Sequence, residues 1–355
     1  MPLLAIESTC DETAAAVITR RREVLGGVVA SQDALHARWR GVVPEVAARA
    51  HVERILPVIV ETLTRAGVTR GDLEAVAVAV RPGLVGSLLV GLAAAKGLAL
   101  GLRLPLVGYD HLAAHLYACR LAHGERVRYP ALGLVISGGH TALYRVDSPT
   151  RLERLGGTID DAVGEAFDKA ASMLGLGYPG GPSIERTARD GDPDRHRLPR
   201  PLSADRERLD MSFSGLKTAL RVLVRPPGSP SDRPPPEGQA RADLAASFEQ
   251  AAVDTIVAKV GLAFERTGLR LLLVGGGVAA NARLRRALET CGERHGACVL
   301  VPPPALCTDN AAMGAIAWEH LDGGHVDGQC LDVLPGTDRS ARRKASLAGE
   351  PRQPE

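Results

Sequence analysis

Lysine is scarce in this chain of 355 residues: only Lys96, Lys169, Lys217, Lys259 and Lys344 stand among 43 basic residues. Arginine supplies the rest, as a GC-rich genome would give, so each retained lysine is of interest. Aromatic residues make up only 3%, which excludes extensive base stacking as a way to hold a nucleic acid. Contacts to such a polymer would run from arginine to phosphate and weaken steeply with salt. A net charge of +2 neither demands nor excludes that partner. The six cysteines (Cys10, Cys119, Cys291, Cys298, Cys307, Cys330) form no CxxC pair and no framework spacing. Free thiols in a reducing compartment are expected. The opening MPLLAIESTCDET lacks the basic and long apolar regions of a signal peptide. Residues 83–107 are the most apolar stretch, but Lys96, Arg103 and several glycines interrupt it. It reads as a buried helix plus a strand rather than a membrane span, and a cytoplasmic protein is expected.

What remains is enough for two lobes with sizeable cores. Strands are expected at 3–7 and 14–19, then helices at 52–66 and 84–100, with strands at 73–80 and 104–109. The pattern then restarts, with a strand at 131–136, a polar glycine turn at 137–141 and a strand at 142–146. Each half opens as strand, small polar turn, strand, which is what a duplicated α/β lobe would give. Further on, the pattern gives a helix at 161–176 stopped by 177–182, a long helix at 244–267 and a strand at 271–274. A glycine turn at 275–277 and a helix at 279–290 follow, with a last core helix at 308–321. Residues 225–238 (RPPGSPSDRPPPEG) form a proline-rich surface loop. On this reading 1–110 and 111–335 are the two lobes, and 336–355 form a disordered tail.

Several groups could carry chemistry. The turns in 6–13 and 136–141 present small side chains and backbone N–H donors, suited to phosphate or carboxylate. Each alone could be an ordinary hairpin; having one at the start of each half favours a ligand. Residues 271–281 (LLLVGGGVAAN) run from a buried strand through three glycines into a helix start, a cradle for phosphate or nucleotide. Asn281 would bring an amide side chain to it. The GxGxxG spacing of dinucleotide folds is absent. His111 and His115 lie four apart, so on a helix both imidazoles share a face. That is a familiar grip on a divalent metal, and a weak signal alone. Asp309 in CTDN is a candidate third ligand, or a plain helix-capping acid. Glu165, Asp168 and Lys169 share a polar helix face, either as a solvated Glu–Lys pair or as part of a ligand site leading into GYPGGP. Lys217 in SFSGLK stands beside two serines.

IESTCDET, HARWRGVVPEVAARAH, RPGLVGSLLVG, DHLAAH, VISGGHT, IDDAVGEAFDKAASMLGLGYPGGP, MSFSGLKTAL, GGGVAANARLR and CTDNAAMGA occur in that order. Together, over about residues 3–335, they closely resemble the tRNA N6-adenosine threonylcarbamoyltransferase family (TsaD, formerly Gcp), in its bacterial form. The resemblance implies the two-lobed actin/sugar-kinase/Hsp70-like α/β fold with duplicated lobes and the active site between them. It implies one divalent metal per subunit, iron (Fe2+) ahead of zinc, on His111, His115 and Asp309. It matches Val135, Ile136, Ser137, Gly138, Gly139, Asp168, Gly181 and Asn281 to the substrate site. Glu185 matches a position where many relatives carry Asp. The implied reaction moves threonylcarbamoyl from its adenylate to N6 of adenosine 37 in tRNAs reading codons that begin with A. The group that takes the N6 proton stays open among Asp11, Glu12 and His140. Implied partners are tRNA, a synthase that supplies threonylcarbamoyl-AMP, a TsaB-like paralogue and a TsaE-like ATPase. The helices at 52–66 and 84–100 would be either the paralogue's docking surface or plain core.

Two positions depart from the family: Arg40 and Arg81 stand where glycine is usual. Either would be strained if the backbone there needed positive φ, or would add phosphate contacts. The rival readings are a metal-dependent glycoprotein endopeptidase, a small-molecule kinase of the same fold and an inactive scaffold. Against the first, Leu112 occupies the place of the general-base Glu of HExxH. Against the last, the paired histidines are present.

Overall fold

The computed structural model describes residues 1–39, 41–230 and 234–336. Arg40 and all but the first residue of the expected tail lie outside them. The first sheet holds β1 (Leu3–Glu7), β2 (Glu12–Ile18), β3 (Val24–Ser31), β4 (Ala75–Arg81) and β5 (Leu106–Asp110), in the order β3-β2-β1-β4-β5. β1 and β2 pair antiparallel, as do β2 and β3, whereas β4 is parallel to both β1 and β5. The second sheet holds β6 (Ala131–Ile136), β7 (Thr141–Ser148), β8 (Arg151–Gly157), β9 (Leu271–Gly275) and β10 (Cys298–Leu300), in the order β10-β9-β6-β7-β8. Its pairings repeat those of the first: two antiparallel on one side of β6, two parallel on the other. The restart at residue 131 is therefore a repeat of topology.

Apolar runs decide which strands are central. β4 (AVAVAVR) is buried along its whole length, as a parallel strand covered on both faces must be. One face of the first sheet, with Leu4, Ile6, Val76 and Val78, packs on Ile55 and Ile59 of α2 (Pro44–Ala66) and Leu92 of α3 (Val85–Leu102). A short α1 (Asp33–His36) precedes α2. The α3 segment is long and apolar enough to cross a membrane. Leu88, Leu92, Ala95 and Ala99 are buried, while Val85, Leu89 and Leu100 are exposed, so the stretch at 83–107 gives a helix and a strand, the helix buried on one face rather than throughout.

The other face of the first sheet meets α4 (His111–His123) and the segment 311–322, which in turn cover the inner face of the second sheet through Val135, Ala142 and Leu273. Behind the second sheet, Leu132, Leu134 and Leu272 pack on α5 (Val163–Met173), α6 (Gly180–Ala188), α7 (Ser214–Val224), α8 (Gly238–Thr267) and α9 (Ala282–Arg294). The layers run helix, sheet, helix, sheet, helix.

Some expectations shift. β3 alternates exposed and half-buried residues and carries two glycines, and β8 (RLERLGG) mixes three charged residues with two glycines, so neither stands out in the sequence. The stop at 177–182 is instead the start of α6. Its first-turn proline is tolerated because those N–H groups lack intrahelical partners anyway. The final helix splits into a 3-10 turn (Ala311–Ile316) and α10 (Ala317–Asp322). Ala311, Met313, Gly314, Ala315 and Ile316 are all buried, so packing on every side overrides a regular helical period. Arg81 ends β4 and is not among the described residues with positive φ, so it carries no such strain.

Gly276, just past β9, has φ 98° and ψ 156°, a region closed to side chains. A Cβ there would lie 2.3 Å from the Ile136 carbonyl oxygen. Gly276→Ala should cost about 2 kcal/mol or more, read as a fall in Tm of several degrees by calorimetry. An unchanged Tm would mean this turn is not held as described.

Candidate active site between the sheets

α4 starts directly after β5. Asp110 caps it, accepting from the N–H groups of Leu112 at 2.9 Å and Ala113 at 3.1 Å. The Arg81 Nε lies 3.1 Å from the second Asp110 oxygen. This fixes His111 at the first helical position and His115 one turn on, with ring centroids 4.4 Å apart. Asn310, not Asp309, caps the 3-10 turn through the Met313 N–H. The Asp309 carboxylate is thereby left to face the imidazoles: its Oδ1 is 3.1 Å from His115 Nε2 and 3.7 Å from His111 Nε2. One ligand atom from each of His111, His115 and Asp309 falls within 4.8 Å of the other two.

His115 is fully buried; among the described residues its Nδ1 has no hydrogen-bond partner, and its Nε2 meets the Asp309 carboxylate at 3.1 Å without hydrogen-bond geometry. A buried imidazole so placed is costly unless its nitrogen ligates, and a His–His–carboxylate set suits iron or zinc. The residues present fit a divalent metal. Burial would raise the Asp309 pKa, but His111, His115 and His140 hold its carboxyl well below the usual range. Burial lowers the His111 pKa, and Glu7, then Asp309, overcome it and push it up to about 9.

Behind His111 stands Glu7, fully buried. Its Oε2 lies 3.2 Å from His111 Nδ1, and its Oε1 accepts from the Thr9 N–H at 2.9 Å. Thr9 Oγ1 is also 3.2 Å from Nδ1. With Nδ1 so engaged, Nε2 is the atom turned toward Asp309, the arrangement by which a carboxylate orients a metal-binding histidine.

The glycine turns open beside this triad. Val135 and Ile136 are buried within β6 and Ser137 is buried just past it, so Gly138 and Gly139 form the exposed part of that match. No atom lies within 4 Å of where a Cβ would stand on Gly138, Gly139 or Gly181. Ser137 Oγ accepts from the His140 N–H at 3.1 Å. Burial, then His111 and His115, push the His140 pKa down to about 4, so this imidazole is neutral near pH 7. The N-terminus of α5 closes on the same turn, Gly164 N–H donating to the Ser137 carbonyl at 3.3 Å.

Asp168 accepts from the Gly180 N–H at 2.7 Å. The contact needs glycine: a Cβ on residue 180 would meet the Asp168 Cα at 2.4 Å. Burial pushes the Asp168 pKa up to about 6 against that N–H, helped by Asp11, Asp33 and Glu165. Its helix neighbours act elsewhere. Lys169 pairs with Glu165 at 2.8 Å and Asp161 at 2.9 Å, and Lys217 binds the other Asp161 oxygen. The plain ion-pair reading of Glu165 and Lys169 therefore holds. Glu185 accepts from the Ala282 N–H at 3.2 Å, beside Asn281 at the head of α9.

Across the gap, carboxylate oxygens of Asp11, Glu12 and Asp33 lie within 4.8 Å of one another. Burial, then Asp309 and Asp11, push the Glu12 pKa up to about 11, so it keeps its proton near pH 7. Burial, then Asp11, Asp168 and Asp33, raise the Tyr178 phenol. The turn of the first sheet and the α5–α6 corner of the second thus feel each other across one cleft.

A family model described as tRNA N6-adenosine threonylcarbamoyltransferase (TsaD) matches residues 23–316. This chain belongs to that family. Among its relatives, proteins of that name from Rhodopirellula baltica and Sorangium cellulosum are 51% and 48% identical. The alignments cover 95% and 98% of this chain, and 97% and 99% of theirs. In fold, the chain resembles component A of the Acidaminococcus fermentans (R)-2-hydroxyglutaryl-CoA dehydratase. The TM-score is 0.52 at 15% identity, covering 91% of this chain and 99% of that one. It also resembles full-length HypF, with a TM-score of 0.57 at 13% identity, covering 93% of this chain and 47% of that one. These likenesses speak to fold alone, the two-lobed actin/sugar-kinase/Hsp70-like fold.

In this threonylcarbamoyltransferase, the sequence reading missed Glu7, Thr9, Asp33 and Tyr178. Glu7 had a signal: an acid ending an otherwise apolar strand of the first sheet. Glu7→Gln should weaken metal binding about 10- to 100-fold, measured as Zn2+ competition against a chromogenic chelator on protein of unchanged circular dichroism. An affinity within twofold of the parent would remove Glu7 from the site.

Proposed function

We propose that this transferase moves threonylcarbamoyl from threonylcarbamoyl-AMP to N6 of adenosine 37 in tRNAs reading codons that begin with A. The observation that carries the reading is the meeting of two features in one cleft. His111, His115 and Asp309 converge within ligand distance of one another, and the turn at Gly138 and Gly139, whose His140 feels the charge of both histidines, opens beside them with space for a ligand's backbone approach.

In the reaction, N6 attacks the carbamoyl carbon, the bond from that carbon to the phosphate oxygen breaks, AMP leaves with the electron pair, and N6 gives up one proton to solvent. The metal, when bound by the His–His–Asp set, supplies Lewis-acid polarisation and charge stabilisation. The chain's own residues orient and enclose the reactants. Backbone N–H groups of the glycine turns accommodate the adenylate without side chains intervening. Asp168, Glu185 and Asn281 hold its nucleotide end. Because an aryl amine is a weak nucleophile, positioning supplies much of the acceleration.

The endopeptidase reading lacks a base: Leu112, 4% exposed, stands where the acid would be. A cytoplasmic site of action accords with the reading. A synthase supplies the adenylate, and a TsaB-like paralogue and a TsaE-like ATPase work with the chain. For the paralogue, Val52, Leu56 and Val60 on α2 and Val85 and Leu89 on α3 are 46–63% exposed. The helices pack against each other, and these residues recur at four-residue spacing, so each helix keeps a solvent-facing apolar stripe as well as a buried one.

Reconstitution with threonine, bicarbonate, ATP, the synthase, the partners and unmodified tRNA, followed by nucleoside mass analysis, should yield threonylcarbamoyladenosine at position 37. His111→Ala and His115→Ala should lower the rate at least about 100-fold, and Asp168→Ala about tenfold. Product formed at the parent rate by His111→Ala would overturn the site assignment.

Leu56→Asp with Val60→Asp should leave the isolated chain folded and abolish capture of the paralogue in a pull-down. Retained capture would return these residues to ordinary surface.

A further inference from the structure

Asn281 is held from two sides. Its Oδ1 accepts from the Leu284 N–H at 2.8 Å and caps α9. Its Nδ2 donates to Glu249 Oε1 at 2.7 Å. Glu249 lies on α8 and is 2% exposed. A carboxylate so buried needs a charged partner, and Arg283 provides it, Nε donating to Oε2 at 2.8 Å. Arg283 is itself steadied by Gln250 Oε1 at 2.6 Å. The amide can take one orientation only, because a carboxylate requires the NH2 end and a backbone N–H requires the oxygen. What Asn281 offers a ligand is then one remaining N–H and one remaining lone pair, pointed by groups that do not themselves reach the cleft.

Core packing does not call for this acid. Its neighbours Phe248, Ala251 and Ala252 are buried in the apolar cluster behind the second sheet, where an aliphatic side chain would serve. Nor does the cap need it, since Leu284 alone satisfies that role. We propose that Glu249, with Arg283 as its counter-ion, is a positioning residue. It orients the Asn281 amide for the nucleotide end of the donor and so sets affinity for the adenylate rather than the rate of transfer. The proposal rests on the reading that Asn281 touches that nucleotide.

AMP binding by titration calorimetry tests it, alongside KM and kcat for the adenylate in the reconstituted system. Glu249→Leu should weaken AMP about tenfold and raise KM to match, with kcat within about threefold of the parent. Glu249→Gln, which keeps an acceptor for Nδ2, should recover affinity to within about threefold. Asn281→Ala should lose as much as Glu249→Leu, and the double variant should lose no more than either, because the two act through one contact. If Glu249→Leu does not fold, Arg283→Leu carries the test, with AMP weakened about threefold. AMP affinity unchanged in the Glu249 or Arg283 variants, but lost in Asn281→Ala, overturns the positioning role. AMP affinity unchanged in Asn281→Ala overturns the underlying placement of the nucleotide. A fall in kcat with KM unchanged also overturns the proposal.

Discussion

A fully buried histidine whose Nδ1 has no hydrogen-bond partner and whose Nε2 meets the Asp309 carboxylate at 3.1 Å without hydrogen-bond geometry is the constraint on which the site is built. Leaving such a group short of hydrogen bonds costs on the order of 1–3 kcal/mol, and the surroundings bring only the Asp309 carboxylate up to it. They hold it in place for something else. α4 lies between two sheets, so its first turn cannot swing. Asp110 divides its two oxygens, Oδ1 to the helix N–H groups and Oδ2 to Arg81. Glu7 and Thr9 occupy the back of the first imidazole, and Asn310 relieves Asp309 of capping duty. Each of these contacts aims a donor atom at one point.

The duplication explains why a cleft exists there at all. Both sheets run a central strand into a small polar turn, Ser8–Asp11 in the first and Ser137–His140 in the second, and both turns sit at the same end of their sheets. Stacking the sheets about α4 brings the turns face to face. The two sides are unlike in charge: carboxyls crowd the first turn, whereas imidazoles and open glycines line the second. An anionic donor entering between them would be repelled by three ionised acids. Burial lessens this by raising both Asp11 and Glu12, so the acid wall carries less charge than its composition suggests.

Much of this was legible in the chain because local rules and tertiary structure agree. The His111–His115 spacing, the glycines after β9 and the paired turns each follow from one short segment, and order along the chain tied them together. What escaped is of another kind. Glu7 and Glu249 are acids inside apolar elements, and their roles come from partners 104 and 32 residues away. β3 and β8 are edge strands with polar or glycine-rich patterns, stabilised by pairing with a neighbour rather than by their own periodicity. The helix at 180 begins inside a run of glycine and proline that ordinarily ends one. Only the close seating of Gly180 on Asp168 explains it, and no local rule carries that contact.

Arg81 shows the same limit from the opposite direction. Set against the usual glycine, an arginine at this position looks like a source of backbone strain or an added phosphate contact. The strain does not arise at the end of β4, where the chain is extended and any residue fits. The guanidinium, whose side chain is 10% exposed, turns back to the acid that caps the helix of His111 and His115. A buried pair of this sort repays its desolvation only if the remaining hydrogen-bonding capacity is met, and here the capped N–H groups meet it on the carboxylate side. The substitution therefore acts on the seating of His111 from the first sheet. Glycine, with no side chain, could not make that contact.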